Sequence, residues 1–385
     1  MSALRLTELH VGGVRCLSDV TISVPSAAPR VLFGGNGTGK SSVVEALQLL
    51  TRVGDGTFSM VQVGASSLLE HGASRITLGI TASSGATEVR YQLRATATDG
   101  LAVDFEKVET VDASGQATLL LSRVEDTLEM PTVPEFARSV WLRPSHVALK
   151  DFGGHSEEPV FRQLVELICG IEVFAPLDTS PAWVKRGATG PRASANLEPA
   201  KRLAQDGHNL ASAFHALRNE LGDDHWNETM ALVRAGLGQH IETVTTPADS
   251  AAGTLSLRLK YRGTSDQVPA VGISSGSLAY LGWVALVRLS ADSGAVVIDD
   301  VDQGLHPRAL TSVARMFEEL AVKRPVIICT RSERFIASLR DPANAAHWLE
   351  VNDARRTRVR SPNPAALQGW VERLRVVDDC VLAPG

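Results

Sequence analysis

Apolar and polar residues alternate along the first third of this 385-residue chain, which is the period expected of strands. The alternation runs through residues 20–24, 76–80, 89–93 and 101–105. Turn-forming residues separate the last three runs, so each run can fold back on the one before it. We therefore predict an antiparallel sheet in this part of the chain.

The middle of the chain changes to the period of helices. Helical spacing predicts helices within residues 157–240, with separate helices at 203–221 and 226–241. Residues 175–200 are rich in Pro, Gly, Ser and Ala, and we predict a flexible loop there. Residues 255–261 alternate again and predict one strand.

The last third mixes both periods. An apolar helix is predicted at 277–290 and an amphipathic helix at 310–320, with buried strands at 295–298 and 326–329. Both strands are apolar on both faces, which is typical of a parallel sheet covered on each side. The sequence therefore predicts an α/β core that is interrupted by a helical insertion.

Composition narrows the class of protein without selecting one. A net charge of −5 and 44% hydrophobic residues fit a chain with a substantial core, and they do not mark the whole chain as a binder of nucleic acid or membrane. The longest apolar run, 278–289, is too short to span a bilayer. No signal peptide is expected, so we predict a cytoplasmic protein. The four cysteines, Cys16, Cys169, Cys329 and Cys380, lack metal-ligand spacing and are expected to be free thiols.

Residues 34–41 fit the phosphate-binding pattern Gly-x4-Gly-Lys-[Ser/Thr]. A strand predicted at 30–33 and a helix at 41–50 flank it, so the helix N-terminus would face a bound anion. Lys40 would reach the terminal phosphates and the Ser41 hydroxyl would bind Mg2+; the alternative is a glycine-rich turn that binds nothing. The predicted nucleotide contacts are Gly35, Asn36, Gly37, Thr38, Gly39, Lys40, Ser41 and Ser42.

Asp299 and Asp300 directly follow the strand predicted at 295–298. A carboxylate at the carboxyl end of a parallel strand beside a phosphate loop can hold Mg2+, directly or through water, and we assign this role to Asp299. Asp300 is placed to polarise an attacking water. Taken alone, the pair would be ordinary turn carboxylates, and the phosphate loop upstream is what favours the functional interpretation.

Ser274 and Gly276 precede the predicted apolar helix. A hydroxyl and free N–H groups at a helix start can bind an anion, although serine is also simply a good N-cap. The functional interpretation of this segment is favoured by the order of the motifs along the chain: phosphate loop, Ser-Gly helix start, then paired carboxylates.

That ordered set resembles the ABC-type ATPases of the RecF, SMC and OLD branch. Residues 34–42 resemble a Walker A motif, 274–276 the signature motif and 296–300 a Walker B strand. The run 299–307, Asp-Asp-Val-Asp-Gln-Gly-Leu-His-Pro, is similar to the segment that follows Walker B in that branch. Thr330-Arg331-Ser332 resembles its switch segment.

The resemblance extends from about residue 4 to about residue 350, and it includes the segments 14–17 and 206–211. ATP-binding subunits of transporters are the nearest competitor, but there the signature follows Walker A much sooner than here. The implied fold is an α/β P-loop NTPase with an ABC-ATPase-like core, an antiparallel β lobe and a helical insertion. The predicted division is an N-terminal lobe with Walker A (1–150), a helical insertion (151–250), a C-terminal lobe with signature and Walker B (251–350), and a final strand and helix (351–385).

The resemblance implies binding of ATP with Mg2+ and formation of a homodimer on ATP binding. In that branch the signature Ser and Gly of one subunit close over the γ-phosphate held by the other, so Ser274 and Gly276 would act in trans on the nucleotide at Lys40. The implied catalytic residues are Lys40, Asp300 and Arg331.

Two departures from the branch predict slow turnover. Asp300 stands where Glu is usual and is one methylene shorter, which reduces its reach toward a water. Arg331 stands where His is usual; it cannot shuttle a proton, but it can stabilise charge on the transferring phosphoryl group. ATP would then act more as a clamp or switch than as the energy source of a motor.

Three biological roles remain open at this point. The first is an ATP-gated machine of DNA repair, DNA maintenance or anti-phage defence with an effector partner such as a nuclease or toxin. The second is a nucleotide-dependent regulatory protein that never touches DNA, and the third is a transporter subunit. The basic run 353–360 could contact phosphates, but a solvated strand edge is the favoured interpretation. A helix predicted at 364–377 would pack on the core or dock a partner.

Overall fold

The computed structural model of the protein describes residues 3–61, 65–70, 72–97, 100–131, 141–153, 156–181, 184, 187–290, 294–361, 363, 367, 369 and 370. The strands are β1 (Arg5–Gly12), β2 (Val20–Ser23), β3 (Arg30–Phe33), β4 (Arg75–Ser84), β5 (Thr87–Ala97), β6 (Leu101–Val111), β7 (Ala117–Val124), β8 (Thr127–Glu129), β9 (Glu172–Phe174), β10 (Ala195–Asn196), β11 (Ile241–Thr245), β12 (Ala248–Asp249), β13 (Thr254–Leu255), β14 (Arg258–Tyr261), β15 (Gln267–Pro269), β16 (Val296–Ile298), β17 (Val326–Thr330), β18 (Ala346–Val351) and β19 (Thr357–Arg360). The α-helices are α1 (Lys40–Asp55), α2 (Ala148–Phe152), α3 (Pro159–Cys169), α4 (Leu210–Asn219), α5 (Asp223–Leu237), α6 (Ser275–Arg288), α7 (Pro307–Lys323), α8 (Glu333–Ser338) and α9 (Pro342–Ala345).

A six-stranded sheet, in the order β19-β18-β3-β17-β16-β9, forms the centre of the molecule. Its neighbouring strands pair in parallel, except that β19 runs antiparallel to β18 at one edge. All residues of β16 and β17 are buried, as the sequence predicts for parallel strands covered on both faces. Along β3, Val31 belongs to one apolar cluster and Leu32 to the other, so a core lies on each side of the sheet.

The predicted antiparallel sheet is confirmed and has the order β2-β1-β4-β5-β6-β7-β8. Its inward side chains, such as Leu78, Leu93 and Val108, are fully buried. They share one cluster with Leu47 of α1. The sheet therefore covers the face of the core on which α1 packs.

The second cluster is largely helical and is built from α4, α5, α6 and α7, which contact one another. Trp283 of α6 meets Phe317 of α7 with ring centroids 6.0 Å apart. Phe214 and Trp226 join α4 to α5 in the same way, at 6.4 Å. The α/β fold class with an antiparallel lobe and a helical insertion is confirmed.

Several predicted boundaries in the insertion are wrong for identifiable reasons. The helix predicted from 203 begins only at Leu210, because Gly207 adopts a positive φ of 73° and forms a turn. The helix predicted to reach 241 ends before Gly238, whose φ is 104°, and Ile241 starts a strand. Strand β9, inside the region predicted as helical, was missed because three residues carry too little pattern.

The single strand predicted at 255–261 is two strands that belong to different sheets. β13 pairs with β10 and β12, whereas β14 pairs with β11 and β15. The alternating leucines stay buried across the change, so the hydrophobic pattern alone could not reveal it. Most of the final helix predicted at 364–377, and Cys380, lie outside the described residues. Within the described ranges, no helix is long and apolar enough to cross a membrane.

Candidate nucleotide-binding site

The parallel order of the central sheet brings three strand ends to one edge. β17 lies between β3 and β16 and pairs in parallel with both. The segments that leave these strands therefore emerge side by side: residues 34–42 (the phosphate loop) after β3, Arg331 after β17, and Asp299 with Asp300 after β16. Residues far apart in the sequence meet here because carboxyl ends of parallel strands share an edge.

Glycine is required in the phosphate loop for two different reasons. Gly37 and Gly39 have φ values of 76° and 101°, which side chains disfavour. A Cβ at Gly39 would also lie 2.5 Å from Thr357 Oγ1, whereas a Cβ at Gly35 or Gly37 would meet no atom within 4 Å. The loop is thus packed from behind by Thr357 and open in front, as an anion cradle must be.

Lys40 begins α1 and is only 8% exposed. Its Nζ donates to the carbonyl oxygens of Gly34 at 2.8 Å and Gly35 at 2.7 Å. The ammonium is therefore held at the mouth of the loop by backbone acceptors. A polyphosphate oxygen is a stronger acceptor for an ammonium than a neutral carbonyl, so the residue fits a phosphate ligand.

Ser41 and Asp299 meet across the two strand ends, with Ser41 Oγ donating to Asp299 Oδ2 at 3.1 Å. Burial raises the pKa of Asp299, and the neighbouring Asp300 raises it further, while the Ser41 hydrogen bond opposes the shift. A divalent cation would offset both effects, so a hydroxyl and a carboxylate at this separation fit Mg2+ with phosphate oxygens completing its shell. Among the described residues no group of three or more His, Cys, Asp or Glu could hold a metal by itself.

Asp300 and Arg331 form an ion pair, with Nη2 to Oδ2 at 2.7 Å. Arg331 Nη1 also donates to Asn36 Oδ1 in the phosphate loop at 3.2 Å. The hydrogen bond and charge of Asp300 raise the pKa of Arg331, so the guanidinium stays charged. Asp300 itself has a positive φ of 45°, an uncommon backbone conformation for a non-glycine residue.

We use the name signature turn for five consecutive residues: Ile273, Ser274, Ser275, Gly276 and Ser277. Ser274 is the N-cap of α6 and accepts a hydrogen bond from the Ser277 N–H at 3.2 Å. A Cβ at Gly276 would lie 2.3 Å from the Gly304 carbonyl oxygen, so the turn packs against the segment that follows the two carboxylates. Between described residues, no hydrogen bond or ion pair joins Ser274 or Gly276 to the phosphate loop. The structure thus brings together the other predicted site residues but leaves these two apart.

Three contacts at the site had no signal in the sequence. Thr357 donates to the Thr38 carbonyl at 2.9 Å, and its N–H donates to the Cys16 carbonyl at 2.8 Å. Thr330, at the end of β17, donates to Asp302. These partners are hundreds or tens of residues apart, and only the strand order could have predicted them.

A separate groove of about 390 Å³ crosses the outer face of the antiparallel sheet. Its walls carry both signs of charge, including Glu8, Arg90, Lys107 and Glu109. Arg90 pairs with Glu88 at 2.6 Å, and Lys107 pairs with Glu109. The groove has no preference for an anion, and we do not assign the nucleotide to it.

Comparison with known proteins agrees with this geometry. Over 95% of this chain and 99% of the other, the fold matches an SMC head bound to the C-terminal winged-helix domain of ScpA, with a TM-score of 0.52 at 12% identity. An SMC head domain from Thermotoga maritima aligns with a TM-score of 0.48 at 13% identity, covering 93% and 99% of the two chains. The DNA replication and repair protein RecF of Stutzerimonas stutzeri (strain A1501) is 51% identical over 47 residues, which is 12% of each chain.

The fold and the site geometry define a P-loop protein with the ABC-type fold of an SMC head. Residues 31–330 match the family described as "AAA domain, putative AbiEii toxin, Type IV TA system", and the chain belongs to that family.

Proposed function

We propose that this protein binds ATP with Mg2+, dimerises on ATP and hydrolyses it slowly. In this proposal it works as a switch or clamp together with a partner protein, in DNA maintenance or in defence. The observation that carries the proposal is the meeting of Lys40, the Ser41–Asp299 pair and the Asp300–Arg331 pair at one edge of the central sheet.

The grip on the nucleotide follows from the phosphate loop. Lys40 Nζ would exchange the Gly34 and Gly35 carbonyls for phosphate oxygens, and the open side of Gly35 and Gly37 leaves room for them. Ser41 and Asp299 would hold Mg2+, which neutralises charge on the phosphates. The first turn of α1 adds its N–H groups and the positive end of its dipole.

Slow hydrolysis follows from the ion pair of Asp300. Asp300 Oδ2 accepts a hydrogen bond from Arg331 at 2.7 Å, so this contact would have to open before that oxygen could orient a water. Because Arg331 also contacts Asn36 of the phosphate loop, a terminal phosphate lodged there would compete for the same guanidinium. Arg331 would then stabilise the transferring phosphoryl group and leave Asp300 to orient the water.

What supports dimerisation is that, among the described residues, Ser274 and Gly276 make no hydrogen bond to the phosphate loop of their own chain. Ser274 is exposed and lies at the N-terminus of a 14-residue helix. A phosphate supplied by a second copy could accept from its hydroxyl in place of Ser277 Oγ, and from the N–H groups of the first turn. One nucleotide would thus satisfy donors from two chains, and its binding energy would contribute to the dimer.

The involvement of DNA is a separate part of the proposal. It rests on the short match to a protein named for DNA replication and repair, and on the basic run in the hairpin of β18 and β19. In that hairpin Arg356 pairs with Glu70 at 2.8 Å and Arg360 with Glu350 at 3.3 Å. These pairs, with the net charge of −5, favour the second candidate, a nucleotide-dependent protein that regulates a protein partner without touching DNA.

The test of the core proposal measures ATP turnover and mass in solution. With Mg2+ we expect fewer than about 10 turnovers per second. Light scattering of the Asp300→Asn variant should show a dimer with ATP and a monomer without it. Fast turnover, or a monomer at saturating ATP, would contradict the clamp.

DNA binding with ATP present, followed against salt, separates the two candidates. A plot of log affinity against log salt concentration whose slope corresponds to several released counterions would favour DNA, if the slope is smaller for Arg355→Ala/Arg358→Ala. Arg356→Ala/Arg360→Ala is the matched control, since those arginines are paired in the structure. No binding at low salt would leave the regulatory candidate.

A further inference from the structure

Arg192 is a buried arginine in the stretch that the sequence predicts to be a flexible loop. It is only 5% exposed and lies at the end of a short 3-10 turn, Gly190–Arg192. Its Nε donates to the Thr179 carbonyl at 2.9 Å. This part of the loop is therefore anchored to the core, contrary to the prediction that the whole stretch is flexible.

The rest of the guanidinium binds the chain around the signature turn. Nη1 donates to the carbonyls of Ala270 at 2.8 Å, Val271 at 3.0 Å and Ile273 at 2.8 Å. Nη2 donates to Ser275 Oγ at 3.3 Å. One side chain thus contacts residues on both sides of Ser274, the residue whose hydroxyl is exposed.

A second contact closes the same arrangement. Ser275 Oγ donates to the Thr179 carbonyl at 3.0 Å, which is also the acceptor of Arg192 Nε. The Ile273 carbonyl and the Ser274 N–H belong to one planar peptide group, so holding this oxygen fixes the direction in which the chain enters Ser274. Arg192 and Thr179 therefore fix the backbone from which the Ser274 hydroxyl and the N–H groups of Ser275 and Gly276 project.

The backbone around Arg192 is itself fixed by close packing. Gly190 has a φ of 52°, and a Cβ there would lie 2.7 Å from the Asp178 carbonyl oxygen. A Cβ at Gly207 would lie 2.9 Å from Pro191 Cγ. The loop and the segment around Gly207 thus hold the backbone of Arg192 in place, from which its planar guanidinium reaches the carbonyls.

We infer that Arg192 is the positioning residue of the signature turn and sets the geometry with which the turn meets the nucleotide of a second copy. This inference rests on the proposed function in naming the occupant, a phosphate held by another molecule of this chain. Without Arg192, the carbonyls of Ala270, Val271 and Ile273 each lose a donor and the turn loses its fixed direction, while the phosphate loop keeps all of its own contacts.

The experiment compares Arg192→Ala and Arg192→Lys with the matched control Arg202→Ala. Arg202 is an exposed arginine whose ion pair to Glu172 is long, at 3.8 Å. All are made in the Asp300→Asn background, and three quantities are measured: ATP affinity of the monomer, the dimer dissociation constant with ATP, and hydrogen exchange of residues 275–278.

For Arg192→Ala we expect an ATP affinity of the monomer within about twofold of the control and a dimer weaker by about tenfold or more. Exchange of the amides at 275–278 should be faster than in the control. Arg192→Lys should give a smaller loss, since an ammonium can satisfy some but not all of the acceptors. It also keeps the test valid if the alanine variant does not fold.

Two results overturn the inference: an unchanged dimer constant, or unchanged exchange at 275–278. The inference is also overturned if the ATP affinity of the monomer falls as much as the affinity of the dimer, because that would indicate a general loss of structure. If the parent protein does not dimerise on ATP, the proposed function fails instead, and the exchange of the monomer still decides whether Arg192 orders the turn.

Discussion

The phosphate loop and the signature turn are both built from glycine and serine, yet the chain treats them differently. In the phosphate loop, Lys40, Ser41 and Asn36 all find partners within the same chain. In the signature turn Ser274 is exposed, and its hydroxyl bonds to Ser277 of the same turn rather than to the rest of the site. In the proposed function the first half would bind a nucleotide within one chain, whereas the second would contact the nucleotide of a second copy. Substitutions in the two halves should therefore have separable effects.

The largest expected effect comes from the half that is complete in one chain. Lys40→Ala should lower ATP affinity by about 100-fold, because hydrogen bonds from a charged donor contribute up to about 3 kcal/mol. Titration of the monomer with a fluorescent ATP analogue measures this. Lys150→Ala removes an exposed lysine of α2 and is the control. Equal ATP affinities of the two variants would mean that the phosphate loop does not bind ATP.

Asp300→Asn should separate binding from chemistry within the same half. Turnover is expected to fall by about 100-fold, the lower range for loss of a general base, while ATP binding is kept. The amide oxygen can still accept from Arg331, so the local structure should survive. Phosphate release in a single turnover is the measurement, with Asp353→Asn in the hairpin turn as control. Undiminished release would assign water activation to another residue.

Ser274→Ala tests the second half, where the expected effect is smaller. The dimer formed with ATP should weaken by about tenfold, since one donor to the shared phosphate and one N-cap are lost. ATP affinity of the monomer should not change. Asp341→Ala, which removes the N-cap of α9, controls for capping alone. If both variants dimerise alike, the distinction between the two halves is wrong.

The last prediction concerns the stability of the antiparallel sheet, and its expected effect on either half of the site is the smallest. Glu106 is fully buried and accepts from the N–H groups of Ala148 at 2.6 Å and Leu149 at 2.7 Å. Burial raises its pKa from 4.5 to about 7, so the folded state binds a proton that the unfolded state has released between these values. The stability from this group is complete below pH 4.5 and is lost as pH rises to about 7, by about 1 kcal/mol per pH unit.

Glu106→Gln removes this titration and provides the measurement. The difference in free energy of unfolding between parent and variant, from urea melts at pH 5, 6 and 7, should shrink toward pH 7. ATP binding at a fixed pH should be little affected in either protein, provided that both are folded. A difference that stays constant from pH 5 to 7 would mean that Glu106 is ionised in the folded state throughout this range.

Much of the phosphate-loop half could be predicted from sequence because its parts are local. Glycines at 37 and 39, Lys40 and Ser41 are adjacent, and Asp299 follows a strand whose apolar run marks it as parallel. Once the strands are parallel, the meeting of their ends follows from the fold. The role of each residue in nucleotide chemistry stays a prediction that the experiments above address.

What sequence could not predict depends on contacts between distant residues. Nothing near Arg192 marks it as buried, and its stretch has the composition of a loop. Its acceptors are main-chain carbonyls, which leave no residue-type signal about 80 positions away. The pairing of Arg331 with Asp300 was likewise invisible, although both residues were singled out. The prediction of a single strand at 255–261 was wrong for the same reason, since an alternating pattern does not show with which strands a segment pairs.

The contact between Gly276 and Gly304 has a mechanical consequence. With only 2.3 Å between a would-be Cβ and the carbonyl oxygen, the turn cannot be pressed inward unless residues just beyond Asp299 and Asp300 yield. An approaching second copy would push on the same stretch of chain that carries the acidic pair. If the chain dimerises as proposed, docking of the second copy would be coupled to the acidic pair through this short stretch of backbone.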